Sequence, residues 1–176
     1  GVVADIIQVE ETYITAVETA LGGNIQNIVT EDENVAKEMI QFLKKNRFGR
    51  ATFLPLTTVT PKKDAPFRDE ILAEEGVLGN VASKVNRDPR FDQVVEYLLG
   101  RYLLVDTIDH AMKISKKYHY SVRIVTLEGE LFNPGGSLSG GTFKNNSNLL
   151  GRRKELDELE KSIHKMSIKK KKKKNQ

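Results

Sequence analysis

The segment Asn133–Thr142 reads NPGGSLSGGT and carries the most specific motif of the 176-residue chain. Counted from Gly135, its spacing is G-x-x-x-x-G-G-T, which departs from a nucleotide-binding P-loop at one position. A P-loop has a lysine there that reaches the β- and γ-phosphates, whereas this sequence has Gly141. The missing cation predicts that the loop neither binds ATP tightly nor hydrolyses it.

Four glycines within seven residues give this loop two uses, and they are Gly135, Gly136, Gly140 and Gly141. Glycine tolerates positive φ in turns, and it lets a second backbone approach where a Cβ would clash. A strand-like segment, Glu130–Phe132, leads into the loop, and small residues beside a strand edge suit packing against another chain. The alternative is a mobile surface turn, which Leu138 in the middle of the loop disfavours.

The chain before this loop begins with an alternation of strands and helices. The predicted strands are Val2–Val9, Ile25–Val29 and Arg50–Leu54, and the first predicted helix is Glu11–Leu21. The second helix is predicted to follow the capping-box spacing T-x-x-E of Thr30–Glu33. Its apolar face is expected to contain Val35, Met39, Phe42 and Leu43.

The same alternation is predicted a second time after a segment rich in proline, Pro55–Ala73. The second-pass elements are a strand at Val77–Val85, a helix whose apolar face runs from Phe91 to Leu99, a strand at Tyr102–Val105, a helix at Ile108–Tyr118 and a strand at Val122–Leu127. This pattern predicts an α/β fold, with α and β mixed, of two similar βαβαβ lobes. The predicted boundaries are lobe I at 1–55, a linker at 56–76 and lobe II at 77–147.

A heptad pattern follows the loop, at Leu149, Leu156, Leu159, Ile163 and Met166. It predicts the start of a coiled coil at 148–168. An amphipathic helix that packs on its own domain is the alternative. Because the chain opens at Gly1 inside a predicted strand, we expect it to be a piece of a longer protein.

The net charge of +4 is unevenly distributed. Residues 1–150 carry 17 basic and 20 acidic side chains, whereas residues 151–176 carry 11 and 4. Six of the terminal charges form the run Lys169–Lys174, so the tail 169–176 is predicted to be disordered. This run is interpreted either as a nucleic-acid-binding arm or as an appended tag. The body of the domain is not an obvious polyanion binder.

No catalytic, metal or membrane site is predicted. The chain has no cysteine, and the hydrolase motif G-x-S-x-G fails because Ser139 stands at its last position. No pair of histidines has metal-ligand spacing, and each histidine is expected at the surface: His110, His119 and His164. No apolar run approaches the length of a membrane span, and no cofactor is expected in this chain.

The sequence closely resembles the hinge domain of bacterial SMC chromosome-partition proteins. The resemblance rests on LEGELFNPGG and NPGGSLSGGT, on the following LLGRRKELDELE, and on AVETALGGNIQNIVTEDENVAKEMIQFLKKNRFGRATFLPL. It covers the chain from Val2 to about Ile163, and the lysine run lies outside it.

The resemblance implies that this chain is a non-enzymatic part of a cytoplasmic, nucleoid-associated ATPase. It implies a toroidal homodimer that joins two coiled-coil arms through the interface glycines Gly135, Gly136, Gly140 and Gly141. An ATPase head at the far end of each arm, and kleisin-type partners at that head, would lie outside this chain. It also implies weak DNA contact without sequence specificity through Lys144, Arg152, Arg153 and Lys154. The alternatives are a monomeric non-specific DNA-binding domain and a degenerate P-loop domain.

Overall fold

The computed structural model describes residues 1–61, 67–142, 160–166 and 168–169. They belong to two compact units, Gly1–Thr142 and Phe143–Gln176. Within the described part of the chain, no helix combines the length and the hydropathy that a membrane span requires.

The first half of the larger unit contains three short strands and three helices. In chain order they are α1 (Val3–Ile6), β1 (Gln8–Val9), α2 (Ile14–Leu21), β2 (Ile28–Thr30), α3 (Glu33–Lys45) and β3 (Phe53–Pro55). Single 3₁₀ turns occupy Glu11–Tyr13 and Gly22–Gln26.

The second half begins with α4 (Asp69–Leu72), which lies inside the segment predicted to be a linker. The elements that follow are β4 (Val77–Asn80), β5 (Val85–Asn86), α5 (Asp92–Leu99), β6 (Leu103–Val105), α6 (Ile108–Lys117), β7 (Ile124–Thr126), β8 (Leu131–Phe132) and β9 (Leu138–Ser139). The 3₁₀ turns here are Val81–Lys84 and Pro89–Phe91.

The strands form three sheets. The largest has the order β4-β6-β7-β8-β9, in which only β6 and β7 are parallel. β2 and β3 form a separate parallel pair, and β1 pairs antiparallel with β5. The mixture of parallel and antiparallel pairs with helices confirms the predicted mixed α+β class.

Two segments of the larger unit share one order of strands and helices, while the predicted lobe boundaries stay a prediction. We call β1-α2-β2-α3-β3 the first repeat and β5-α5-β6-α6-β7 the second repeat. The last two strands are parallel in each repeat. The repeats meet where β1 pairs with β5 and where α2 contacts α5, and both lie in the same compact unit.

The core of the second repeat forms between α6 and the large sheet. Leu103 and Ile124 are fully buried there, and Ile114 of α6 packs on them at 2% exposure. Ile71 of α4 belongs to the same cluster, so the last part of the predicted linker packs into the core. Burial of these aliphatic side chains is the main source of stability for the unit.

Two predicted strands differ from the observed elements. The sequence predicts one strand over Val2–Val9, but its centre is α1, because Val3, Ala4 and Ile7 are buried at helical spacing. Tertiary burial here outweighs the β-propensity of valine and isoleucine. Val77–Val85 is interrupted by a 3₁₀ turn that starts where the side chain of Asn80 accepts a hydrogen bond from the Ala82 amide at 2.9 Å.

Helix α3 differs from its prediction in its cap and in its burial. Asp32, and not Thr30, caps it, since the Asp32 carboxylate accepts a hydrogen bond from the Val35 amide at 2.9 Å. The predicted apolar face is exposed to a large extent, with Phe42 58% exposed, because α3 packs on a sheet of only two strands and buries Ala36 alone.

The second unit is described only in part. Residues 160–166 are helical, and Ile163 and Met166 of the predicted heptad pattern are exposed on this helix. The remaining heptad leucines, 149, 156 and 159, lie outside the described residues. The coiled coil therefore stays a prediction.

Candidate subunit interface

The glycine-rich segment is a β-hairpin. Its turn is closed by the Asn133 amide, which donates a hydrogen bond to the Ser137 carbonyl at 2.9 Å, and by the Gly136 amide, which donates to the Asn133 carbonyl at 3.0 Å. The Gly135 amide donates to the Tyr120 carbonyl at 2.8 Å, which holds the turn against the end of α6. The turn is therefore ordered by its own hydrogen bonds.

This geometry contradicts the degenerate P-loop. A P-loop runs from a strand through a phosphate cradle into a helix. Here the residues that would form the cradle include β9, which pairs antiparallel with β8. With Leu138 and Ser139 held in a ladder, their backbone amides do not converge on a phosphate.

The glycines of the hairpin have different roles. Gly135, Gly136 and Gly141 have φ of +96°, +104° and +124°, a region that other residues rarely adopt, so the local turns explain them. Gly140 has no positive φ. A Cβ built on it would lie 3.4 Å from Cγ of Glu130, an ordinary contact. The chain itself therefore leaves room for a side chain at Gly140.

Strand β9 is the outer strand of the large sheet. It pairs with β8 alone among the described strands, and Leu138 on it is 53% exposed. An unpaired edge presents a row of amides and carbonyls that a strand from another chain can extend. We call this surface, Leu138–Gly140, the β9 edge.

A second unpaired edge lies in the first repeat. The far side of β2 is partly covered, because the Val29 amide donates to the Gly1 carbonyl at 2.9 Å, whereas β3 pairs only with β2 in the described chain. Pro55 ends β3, which fits an edge strand because proline cannot donate to a central ladder. We call Phe53–Pro55 the β3 edge. Helix α3, with its exposed apolar side chains, packs directly on β3.

The predicted DNA-contacting residues belong to the smaller unit. Lys144, Arg152, Arg153 and Lys154 all lie outside the described residues, so their arrangement stays a prediction. The last described residue of the hairpin region is Thr142.

The strongest titratable cluster contains His110. Its Nδ1–H donates to Asp106 Oδ1 at 2.7 Å, and its Nε2 lies 3.5 Å from Glu75 Oε1. The hydrogen bond to Asp106 raises the pKa of His110, and the same bond lowers the pKa of Asp106. Gly76 packs so closely that a Cβ there would lie 2.5 Å from both Asp106 Oδ1 and His110 Nδ1.

This cluster ties α6 to the turn before β4 and contains no nucleophile. In the described part of the chain no group of three His, Asp or Glu side chains is placed to hold a metal ion. His119 and His164 are exposed, as the sequence predicts. Half-buried His110 departs from that prediction, because its ring is held between two carboxylates.

We predict that His110 makes stability depend on pH. Because its pKa is raised on folding, its contribution is complete below its ordinary pKa of 6.5 and is lost as pH rises through the raised value. Wild-type protein should lose stability relative to His110→Gln as pH rises from about 5.5 to about 8.5. Urea denaturation of both proteins across this range measures the difference.

The matched control is His119→Gln, since His119 is exposed. Groups common to all three proteins, including Glu75 and Lys113 beside the ring, cancel in the comparison. A constant difference between wild type and His110→Gln over the whole range contradicts the prediction.

Comparison with known proteins gives the class of the fold. Residues 1–115 match the family described as "SMC proteins Flexible Hinge Domain". The SMC hinge domain of Geobacillus stearothermophilus, solved as an asymmetric dimer, superposes with a TM-score of 0.80 at 33% identity over 96% of this chain and 68% of that chain. The Pyrococcus furiosus SMC hinge gives a TM-score of 0.68 at 33% identity over 83% and 74%.

Curated sequences point the same way. The chain is 42% identical over 171 residues to the chromosome partition protein Smc of Bacillus subtilis strain 168, and 44% identical over 160 residues to that of Desulfitobacterium hafniense strain Y51. These matches cover 96% and 90% of this chain but only 14% and 13% of the two relatives. The chain belongs to the SMC hinge family and corresponds to the hinge segment of the bacterial chromosome partition protein Smc.

The sequence analysis singles out the glycine hairpin as a candidate interface, and it does not single out the β3 edge. Pro55 reads in the sequence as the start of a linker, although a proline at the end of a β-branched and aromatic run is also a signal of an edge strand. No sequence pattern predicts that the apolar face of α3 is exposed, because an amphipathic helix has the same pattern whether its own chain or a partner covers that face.

Proposed function

We propose that this chain is a homodimerisation hinge, in which two copies join through the β9 and β3 edges. The observation that carries the proposal is the β9 edge itself, an outer strand that pairs with β8 on one side only and carries the exposed Leu138. The solved hinge of Geobacillus stearothermophilus supports the dimeric state, since that protein was crystallised as an asymmetric dimer, and the pairing of the two edges rests on the strands of this chain alone.

The two edges belong to different sheets of one protomer, so they can be used reciprocally. The β9 edge of one protomer pairs with the β3 edge of its partner, and the same contact recurs with the roles exchanged. Such isologous closure is the usual arrangement of a homodimer, and it uses the β9 and β3 edges of both protomers. In this arrangement the exposed face of α3 lies beside the incoming strand and gains apolar cover.

Mass in solution tests the proposal. Sedimentation velocity of the full chain at micromolar concentration should give twice the chain mass, with dissociation only on dilution. A single species of one chain mass at every concentration contradicts the proposal and favours a monomeric domain. Residues 1–150 carry 17 basic and 20 acidic side chains. This net negative charge disfavours a monomeric DNA-binding domain.

In the whole protein this hinge connects two coiled-coil arms of a cytoplasmic, nucleoid-associated ATPase. ATP binding and kleisin-type partners belong to a head domain elsewhere in that protein, and the hinge contributes no catalytic group and no cofactor. The support is the match to one segment of Smc sequences and the absence of a phosphate cradle in the hairpin.

Weak DNA contact is a second part of the proposal. The resemblance to SMC hinges implies that Lys144, Arg152, Arg153 and Lys154 contact DNA, and cations clustered in sequence act mainly on phosphates. Binding of this kind is indifferent to sequence and weakens as salt replaces the released counterions.

We predict that reversal of Arg152, Arg153 and Lys154 to glutamate abolishes DNA binding at low salt in protein that lacks the lysine run. Removal of Lys169–Lys174 first is necessary, because its loss takes the net charge from +4 to −2 and the run binds phosphates by itself. Fluorescence anisotropy with a labelled duplex at several salt concentrations is the measurement.

The matched control reverses Arg90, Lys113 and Lys116, three exposed cations of the larger unit. It changes the net charge equally and should leave more of the binding in place. If removal of the lysine run alone ends binding at every salt concentration, the DNA part of the proposal is withdrawn and dimerisation stands.

A further inference from the structure

A cleft of about 700 Å³ lies in the larger unit and is lined from both repeats. Asn24 and Asn27 line it from the first repeat, and Arg101, Tyr102 and Arg123 line it from the second. Arg68, just before α4, completes the wall. No aspartate or glutamate is among its described lining residues. We call this cavity the arginine cleft.

The guanidinium groups of the arginine cleft are weakly engaged. Arg101 is exposed and forms no hydrogen bond or ion pair with any described residue. Arg68 lies 3.4 Å from Glu70, but both side chains are more than 60% exposed, so water screens this pair. Their N–H groups remain available to a ligand.

Arg123 is held by an aromatic ring and not by a carboxylate. Its guanidinium carbon lies 5.4 Å from the centroid of the Tyr102 ring. Contact with a ring orients a guanidinium and leaves its N–H donors free for an oxyanion. Asn27 Nδ2 donates to Asn24 Oδ1 at 2.8 Å. This bond uses the oxygen of the Asn24 side chain and leaves its N–H groups as further donors. The arginine and Asn24 side chains therefore offer several free donors to a ligand.

We propose that the arginine cleft binds a small molecule that carries a chain of phosphate groups. Its volume lies in the range of small-molecule sites, about 300–1,000 Å³. Guanidinium groups bind phosphate oxygens in pairs, with charge-assisted hydrogen bonds. Pro134 at the start of the glycine hairpin and Leu54 of the β3 edge also line the cleft. The proposed binding involves no hydrolysis. Because the cleft exists only in the folded unit, the ligand raises the free energy of unfolding by an amount that grows with its concentration relative to Kd.

The charge pattern of the sequence conceals this site. Arg68, Arg101 and Arg123 are separated by more than 20 residues each, so no basic run marks them, and the body of the domain is slightly acidic. The fold brings them to one cavity, and the acidic side chain paired with one of them, Glu70 beside Arg68, is itself exposed.

Calorimetric titration of the full chain with inorganic triphosphate tests the proposal, and ATP in a second titration separates a free polyphosphate from a nucleotide. The double variant Arg101→Gln/Arg123→Gln should bind triphosphate about tenfold more weakly or worse, since charge-assisted hydrogen bonds are lost. The control Arg90→Gln removes an exposed arginine whose guanidinium lies over Phe91, outside the cleft, and should bind like wild type.

Several outcomes overturn the inference. The first is that wild type does not bind triphosphate at low salt. The second is that the double variant binds as tightly as wild type, which assigns the affinity to the lysine run. The third is that the double variant and Arg90→Gln lose the same affinity. A double variant that falls to monomer mass with unchanged triphosphate affinity assigns the arginines to the dimer contact instead. A single-stranded oligonucleotide that displaces triphosphate from wild type at a concentration below that of the triphosphate assigns the cleft to nucleic acid.

A second measurement locates the bound ligand. Shifts of the amide resonances of Ser121 and Asn24 during the titration place binding in the cleft.

Discussion

Replacement of Gly140 by leucine is expected to convert the protein into folded monomers. Gly140 has no positive φ, and the atom nearest to a Cβ at this position would be Cγ of Glu130 at 3.4 Å, so the protomer admits a Cβ there without strain in its backbone. At the proposed contact the same side chain holds the facing strand away. Overpacking costs about 1–3 kcal/mol at one site, and a twofold dimer contains the contact twice.

Gly140 is a sharper choice than the glycine beside it. Gly141 has φ of +124°, so any side chain there strains the hairpin whether or not a partner is present. A loss of dimer in a Gly141 variant is therefore ambiguous. The change at Gly140 separates the interface from the turn.

Sedimentation velocity and circular dichroism together decide the result. The expected outcome is one chain mass with a wild-type spectrum. The matched control is Gly23→Leu, because Gly23 is exposed, has no positive φ and has no atom within 4 Å of a Cβ. If Gly140→Leu remains dimeric at micromolar concentration, the β9 edge is not the contact. If it unfolds while the control folds, Gly140 serves the protomer.

Truncation of Ile114 to alanine is expected to lower the free energy of unfolding by about 2–5 kcal/mol. Ile114 is 2% exposed and packs from α6 onto Leu103 and Ile124 of the large sheet. The loss combines the transfer free energy of the deleted carbons with the cavity that they leave, and a packed sheet collapses into such a cavity only in part.

The control lies two residues away on the same helix. Met112 is 51% exposed, so Met112→Ala removes little buried surface and should cost far less. Urea denaturation of both variants, with unchanged slope, gives the two values. Equal losses contradict the observed orientation of α6.

Helical periodicity gives the most reliable predictions from the sequence. Helices α2, α5 and α6 lie where apolar spacing and glycine or capping residues place them, because their apolar faces are buried within the same chain. The sequence-based predictions fail where only tertiary burial decides between a helical and an extended backbone. The β-branched residues around Ala4 favour a strand, yet a single turn of helix buries both Val3 and Ala4.

The candidate interface is predictable in its residues and not in its geometry. The glycine spacing marks the hairpin, but it does not reveal that three glycines serve the turn and that Gly140 does not. The β3 edge and the arginine cleft depend on which strands and side chains meet after folding, and no local pattern carries that information.

The pairing of β1 with β5 has a consequence for the kinetics of folding. Gln8 finds its partner in Asn86, so the N-terminal strand stays unpaired until most of the larger unit has been synthesised. Closing so long a loop costs entropy before any contact repays it, which slows the search. A nascent chain that ends after β3 lacks both the partner of β1 and the helix α5 that packs on α2. We therefore expect the two repeats to fold as one cooperative unit, and we expect a ribosome-bound first repeat to expose apolar surface until the second repeat emerges.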